Sequence, residues 1–67
     1  MAITMKAARV NANLTQTEAA NALGISKNTL NGYENGKVIP KVDVAQKMAN
    51  LYGLSVDDII FLPNDCA

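Results

Sequence analysis

Sixty-seven residues with six basic and six acidic side chains, no histidine and one cysteine describe a single small domain. Such a chain has no internal disulfide, no zinc-ligand set and no hydrolytic triad. The longest apolar run, Ile59-Ile60-Phe61-Leu62, is far too short to span a membrane, and no signal-peptide hydrophobic region opens the chain. A cytoplasmic, non-enzymatic protein without metal or cofactor is expected. Apolar residues make up 49% of the chain but aromatics only 4%, so the core should consist of closely approaching helices with small side chains. Strand-like alternation is absent, and an all-α fold is predicted.

Taken in order, Thr4 can cap a first helix over residues 5–12, with Met5, Ala8 and Ala12 as its buried stripe. Thr15-Gln16-Thr17-Glu18 has the spacing of a capping box, in which a Thr hydroxyl and a Glu carboxylate exchange hydrogen bonds with each other's backbone. The helix it starts runs through Ala19, Ala20, Ala22 and Leu23 and stops at Gly24, suited to the left-handed conformation of a helix end. Ser26 is the next N-cap, and Ile25 before it can staple onto Leu30. Two helices joined by so short a turn read as a helix-turn-helix.

The second of these helices divides by face. Advancing about 100° per residue, Lys27, Asn28, Asn31, Gly32 and Asn35 share one side, whereas Thr29, Leu30 and Tyr33 share the other. The first side offers an ammonium, three amides and a glycine, with nothing apolar to bury. Asn can pair with adenine N6/N7, and Lys can donate to guanine O6/N7 or to phosphate. Such a face suits the major groove of double-stranded DNA.

Asn35-Gly36 reads as a helix end, and residues 37–41 as a loop before a helix signalled by Pro40. From Val42 to Tyr52 the residues Val44, Ala45, Met48, Ala49, Leu51 and Tyr52 follow helical spacing. Gly53 ends that helix and Ser55 caps a further one, with Leu54 able to staple onto Ile59 while Asp57 and Asp58 suit the positive end of the helix dipole. Residues 63–67 are expected to form a frayed tail to a single domain of residues 1–67, with no separate sensing or protease domain.

Charge is unevenly spread. Residues 1–41 hold five basic against two acidic side chains, and residues 42–67 one against four. The basic half carries the helix-turn-helix, which makes phosphate attraction available despite zero net charge.

Several separated motifs carry a family resemblance: Lys6-Ala7-Ala8-Arg9, Leu14-Thr15-Gln16, Ala20, Leu23-Gly24-Ile25-Ser26, Tyr33-Glu34-Asn35-Gly36-Lys37, Pro40, Ala45, and Tyr52-Gly53-Leu54-Ser55 with Asp58. From about Thr4 to Leu62 the chain resembles the phage-repressor and Cro-like (Xre-like) helix-turn-helix transcriptional regulators. The resemblance implies a compact five-helix, lambda-repressor-like domain that binds operator DNA, usually as a two-fold dimer. It also implies an ion pair between Arg9 and Glu34 tying the first helix to the third. Gly32 departs from the pattern, because the family usually places a longer polar side chain there.

These readings together assign base contacts to Lys27, Asn28 and Asn31, and DNA-backbone contacts to Thr15, Gln16, Thr29, Asn35 and Lys37. The function expected is a transcriptional regulator, a repressor reading an inverted-repeat operator. A homodimer is expected to form around the last helix and the segment that follows it, through Ile60, Phe61 and Leu62, with no small-molecule ligand. The alternative is a protein-interaction module on the same fold, such as an antitoxin or adaptor. A domain that keeps the fold but has lost its reading surface is a third reading, and Gly32 is the residue that raises it.

Overall fold

The computed structural model describes residues 2–61. Its elements are β1 (Ile3–Thr4), α1 (Met5–Asn11), α2 (Gln16–Leu23), α3 (Lys27–Glu34), α4 (Val42–Tyr52), a 3-10 turn (Val56–Asp58) and β2 (Ile59–Ile60). Each of the first three helices begins at a hydroxyl. Thr4 accepts from the Ala7 N–H at 3.1 Å, Thr15 from Glu18 at 3.1 Å and Ser26 from Thr29 at 3.1 Å, each occupying one of the donors that a helix start leaves free. The Glu18 carboxylate completes the box by accepting from the Thr15 N–H at 2.9 Å.

Helices α2 and α4 end alike. Gly24 and Gly53 adopt φ of +74° and +73°, and the next residues, Ile25 and Leu54, donate back to Ala20 and Ala49 at 3.0 and 2.8 Å. This is the Schellman closure, which satisfies late carbonyls and turns the chain sharply. The consequence at Gly24 is the short turn that sets α3 across α2.

Small side chains let the helices approach. Ala8, Ala19, Ala20 and Ala49 are almost wholly buried, and Leu30 and Met48 are the largest fully enclosed side chains. Helix α2 packs against both α3 and α4, and α1 reaches both as well. Ile25, Val44, Leu51, Leu54 and Phe61 add partly buried apolar surface around this center.

The expected five helices are not all present: the described residues form four, and Ser55 starts only a three-residue 3-10 turn that leads into extended chain. Ile59 and Ile60 explain the difference. A single turn is a costly nucleus, and the β-branched residues that would have to extend it favor extended backbone. They pair in parallel with the start of the chain, Ile3 with Ile59 and Thr4 with Ile60. The helices still make the fold, in keeping with the all-α expectation, and the bridge adds two residues per strand, too few for alternation to register in the sequence. The first helix ends one residue earlier than expected, with Ala12 as its C-cap and Asn13 in left-handed backbone at φ 62°.

Residues 63–67, read as a tail, lie outside the described residues, as does Leu62. No helix among the described residues is long and apolar enough to cross a membrane.

Candidate nucleic-acid interface

Helix α3 is held from behind by apolar packing and from its C-terminal end by a polar network. Leu30 and Tyr33 sink into the core at 0% and 9% exposure, which turns Lys27, Asn28, Asn31 and Asn35 outward, all exposed. At the far end Arg9 Nε donates to Glu34 Oε2 at 2.7 Å and its terminal NH2 to Oε1 at 3.3 Å. The remaining guanidinium arm donates to the Leu14 carbonyl at 2.8 Å. The side chains of Arg9 and Glu34 are only 10% and 2% exposed. Burying two charges costs desolvation, offset here because the fork geometry and the Leu14 carbonyl leave neither charge unpartnered.

Gln16 joins the same network. Its Nε2 donates to Glu34 Oε1 at 3.1 Å and to Asn31 Oδ1 at 3.2 Å, so one side chain ties the start of α2 to two positions on α3. Both amide hydrogens of Gln16 are thereby used within the protein, and what remains for a phosphate is its backbone N–H at the first position of α2, a donor that helix geometry leaves free. Asn31 is oriented by the same bond: its carbonyl side is turned toward Gln16 and its NH2 is left to donate. Asn28 carries no such restraint among the described residues.

Thr29 does not join the core face on which the helical wheel places it. It is exposed, and its Oγ1 accepts from the Ser26 hydroxyl at 2.8 Å, which leaves its own O–H free to donate outward. Being early in the helix, it escapes the packing that claims Leu30 and Tyr33. Thr15 and Lys37 are likewise exposed. After Asn35 the chain turns through Gly36, and the Lys37 and Val38 N–H groups both donate to the Gly32 carbonyl at 3.0 and 3.4 Å, binding the loop to the last turn of α3.

In the sequence Tyr52 is legible only as a core residue. It lies near the Arg9–Glu34 pair with its hydroxyl buried and unpartnered among the described residues. Its pKa is pushed up from 10.0 to about 12, chiefly by burial and further by the Glu34 charge, with Arg9 pulling the other way. The Gln16 link has no local signal either, because its partners lie one and two helical turns along a different helix.

The apolar run assigned to a dimer contact is split. Ile60 is 42% exposed at the outer position of β2, whereas Phe61 packs partly against its own core. The last helix around which that contact was expected is instead the 3-10 turn and β2. Among the described residues no group of three or more Cys, Asp or Glu side chains could hold a metal ion.

Comparison with known proteins agrees with this geometry. A family model described as helix-turn-helix matches residues 5–59. The chain is 38% identical over 52 residues to the cryptic phage CTXphi transcriptional repressor RstR of Vibrio cholerae, covering 78% of this chain and 47% of that protein. It is 41% identical over 56 residues to the HTH-type transcriptional regulator ImmR of Bacillus subtilis, covering 84% of this chain and 44% of ImmR. An uncharacterized HTH-type transcriptional regulator, MJ0272 of Methanocaldococcus jannaschii, is 38% identical over 53 residues, covering 79% of this chain and 80% of that protein. The chain thus spans about half the length of RstR and of ImmR.

Proposed function

The chain belongs to the Xre-like helix-turn-helix family, a non-enzymatic class of regulators, and on that footing we propose that it is a sequence-specific DNA-binding transcriptional repressor acting in the cytoplasm. The observation that carries the reading is the outward face of α3, with Lys27, Asn28 and Asn31 exposed while Leu30 and Tyr33 are buried on the inner side. A helix held this rigidly, with donors and acceptors on its open side, can enter the major groove without first ordering itself. The relatives named as a repressor and as transcriptional regulators support the same reading.

Lys27, Asn28 and Asn31 read base edges: Asn28 as a two-bond partner for adenine, Asn31 as a donor through its NH2, and Lys27 to guanine or a phosphate. The hydroxyls of Thr15 and Thr29, the Gln16 backbone N–H, Asn35 and Lys37 fix the domain on the sugar-phosphate backbone. So few base contacts specify a short half-site, which is why the operator is proposed to be an inverted repeat bound by a homodimer. Ile60, with Phe61 and Leu62 following it in the sequence, is the proposed center of the pairing surface. Ile60→Lys is a better probe of it than a change at Phe61, whose ring also supports its own core.

Selection of binding sites from random duplex DNA tests the whole reading. Recovery of an inverted repeat is the expected result. A single unrepeated site would remove the dimer, and no enrichment even at low salt would overturn DNA reading in favor of a protein-interaction module.

A further inference from the structure

Gly32 leaves a gap in the open face of α3, and the neighboring loop stands at its edge. A Cβ placed at Gly32 would find one neighbor within 4 Å, the Val38 Cγ2 methyl at 3.9 Å. That methyl therefore flanks the space through which a side chain at position 32 would project. Two backbone bonds hold it there, since the N–H groups of Lys37 and Val38 both donate to the Gly32 carbonyl. A β-branched side chain adds little rotamer freedom of its own, so the methyl groups are presented in a restricted position. Val38 is 55% exposed.

A single exposed valine on a protein surface ordinarily requires no explanation. This one differs in its address. It sits beside Gly32, on the side of α3 that carries Asn28 one turn earlier and whose other exposed side chains, Lys27, Asn31 and Asn35, are polar. Lys27, Asn28 and Asn31 can recognize donors and acceptors, but the 5-methyl of thymine is an apolar feature of the major groove that none of them matches.

Resting on the DNA-reading assignment above, we propose that Val38 is a specificity-determining residue that reads a thymine methyl in the major groove, standing in for the side chain that Gly32 lacks. Glycine at 32 removes the bulk that would separate the Val38 methyls from the base edge. The helix and the loop then form one reading surface, polar from the helix and apolar from the loop.

The test begins from the selected operator, with each thymine of a half-site replaced in turn by deoxyuridine, which deletes the methyl and leaves the hydrogen-bonding edge intact. Affinity of the unmodified protein should fall about fourfold at one thymine per half-site, the worth of one buried methyl. Val38→Ala should bind the thymine and deoxyuridine forms of that position equally, with an unchanged thermal melt. The inference is overturned if no replacement matters to the unmodified protein, or if Val38→Ala keeps the same methyl dependence. It is also overturned if Val38→Ala weakens selected and random DNA alike, which would place Val38 on the sugar-phosphate wall. A selected operator that is indifferent to methyl deletion defeats this inference alone, whereas failure to select any DNA defeats the reading beneath it as well.

Discussion

Thr15 and Ser55 begin their turns in the same way, and the two turns come to different ends. Each hydroxyl accepts from a backbone N–H ahead of it, and each is answered by an acid three residues on, Glu18 at 2.9 Å and Asp58 at 3.3 Å. From Thr15 the helix continues for eight residues, while from Ser55 it stops after three. A cap stabilizes a start, but it does not decide propagation. Behind Glu18 stand Ala19, Ala20, Ala22 and Leu23, good helix formers whose inner face is buried on α3 and α4. Behind Asp58 stand Ile59 and Ile60, which find a strand partner in Ile3 and Thr4.

The largest effect that would break this contrast lies in the polar network behind α3. Glu34→Ala leaves the Arg9 guanidinium buried without its acid and should cost about 3–5 kcal/mol, a large share of the stability of so small a domain. Glu34→Gln, which keeps the shape, should cost less. Urea denaturation of both variants measures this; a loss below about 1 kcal/mol for Glu34→Ala would mean that the pair behaves as an exposed one.

Next in size is a change that leaves the fold alone. Asn28→Ala should weaken operator binding by about 1–3 kcal/mol with no change in melting temperature. Competition against random duplex DNA checks it, since equal losses on both would make Asn28 a backbone contact. The two caps themselves come third. Thr15→Ala should destabilize by about 1 kcal/mol, and Ser55→Ala by clearly less, because its bonds are longer and the turn it starts is short. Equal losses in thermal denaturation would remove the distinction drawn between the two turns.

Tyr52, at the end of α4 and near the Arg9–Glu34 pair, carries the smallest effect. The folded protein holds the phenol proton to about pH 12, whereas the unfolded chain gives it up near 10.0. Stability contributed by this group is therefore complete below 10.0 and is lost as the pH rises toward about 12. Tyr52→Phe should flatten that alkaline decline and at neutral pH change stability by at most about 1 kcal/mol, since it removes a hydroxyl with no partner. Melts across the alkaline window decide the point; an undiminished decline would assign it to other groups.

Legibility in the sequence tracks the range of the interaction. Thr4, Thr15, Ser26 and Gly24 act on residues three to five positions away, so their spacing alone locates α1, α2, α3 and the turn between the last two. Arg9 and Glu34 are 25 positions apart, and their pairing is available only through family resemblance. The inward use of Gln16, the unpartnered hydroxyl of Tyr52 and the exposure of Thr29 depend on how helices cross, which no local pattern encodes. The closing segment defies the expectation of a fifth helix for the same reason. Its cap is local, but the partner that draws Ile59 and Ile60 into a strand sits at the opposite end of the chain.

That bridge between Ile3 and Ile59 has a kinetic consequence. Helices α1 to α4 assemble through contacts that are mostly near in sequence, whereas the bridge closes a loop around nearly the whole domain and gains little until the rest is in place. It should form after the folding barrier has been crossed and open before the helices separate. Ile59→Val would then quicken unfolding and leave refolding almost unchanged, so the joined ends act as the latch on a domain whose folding is governed elsewhere.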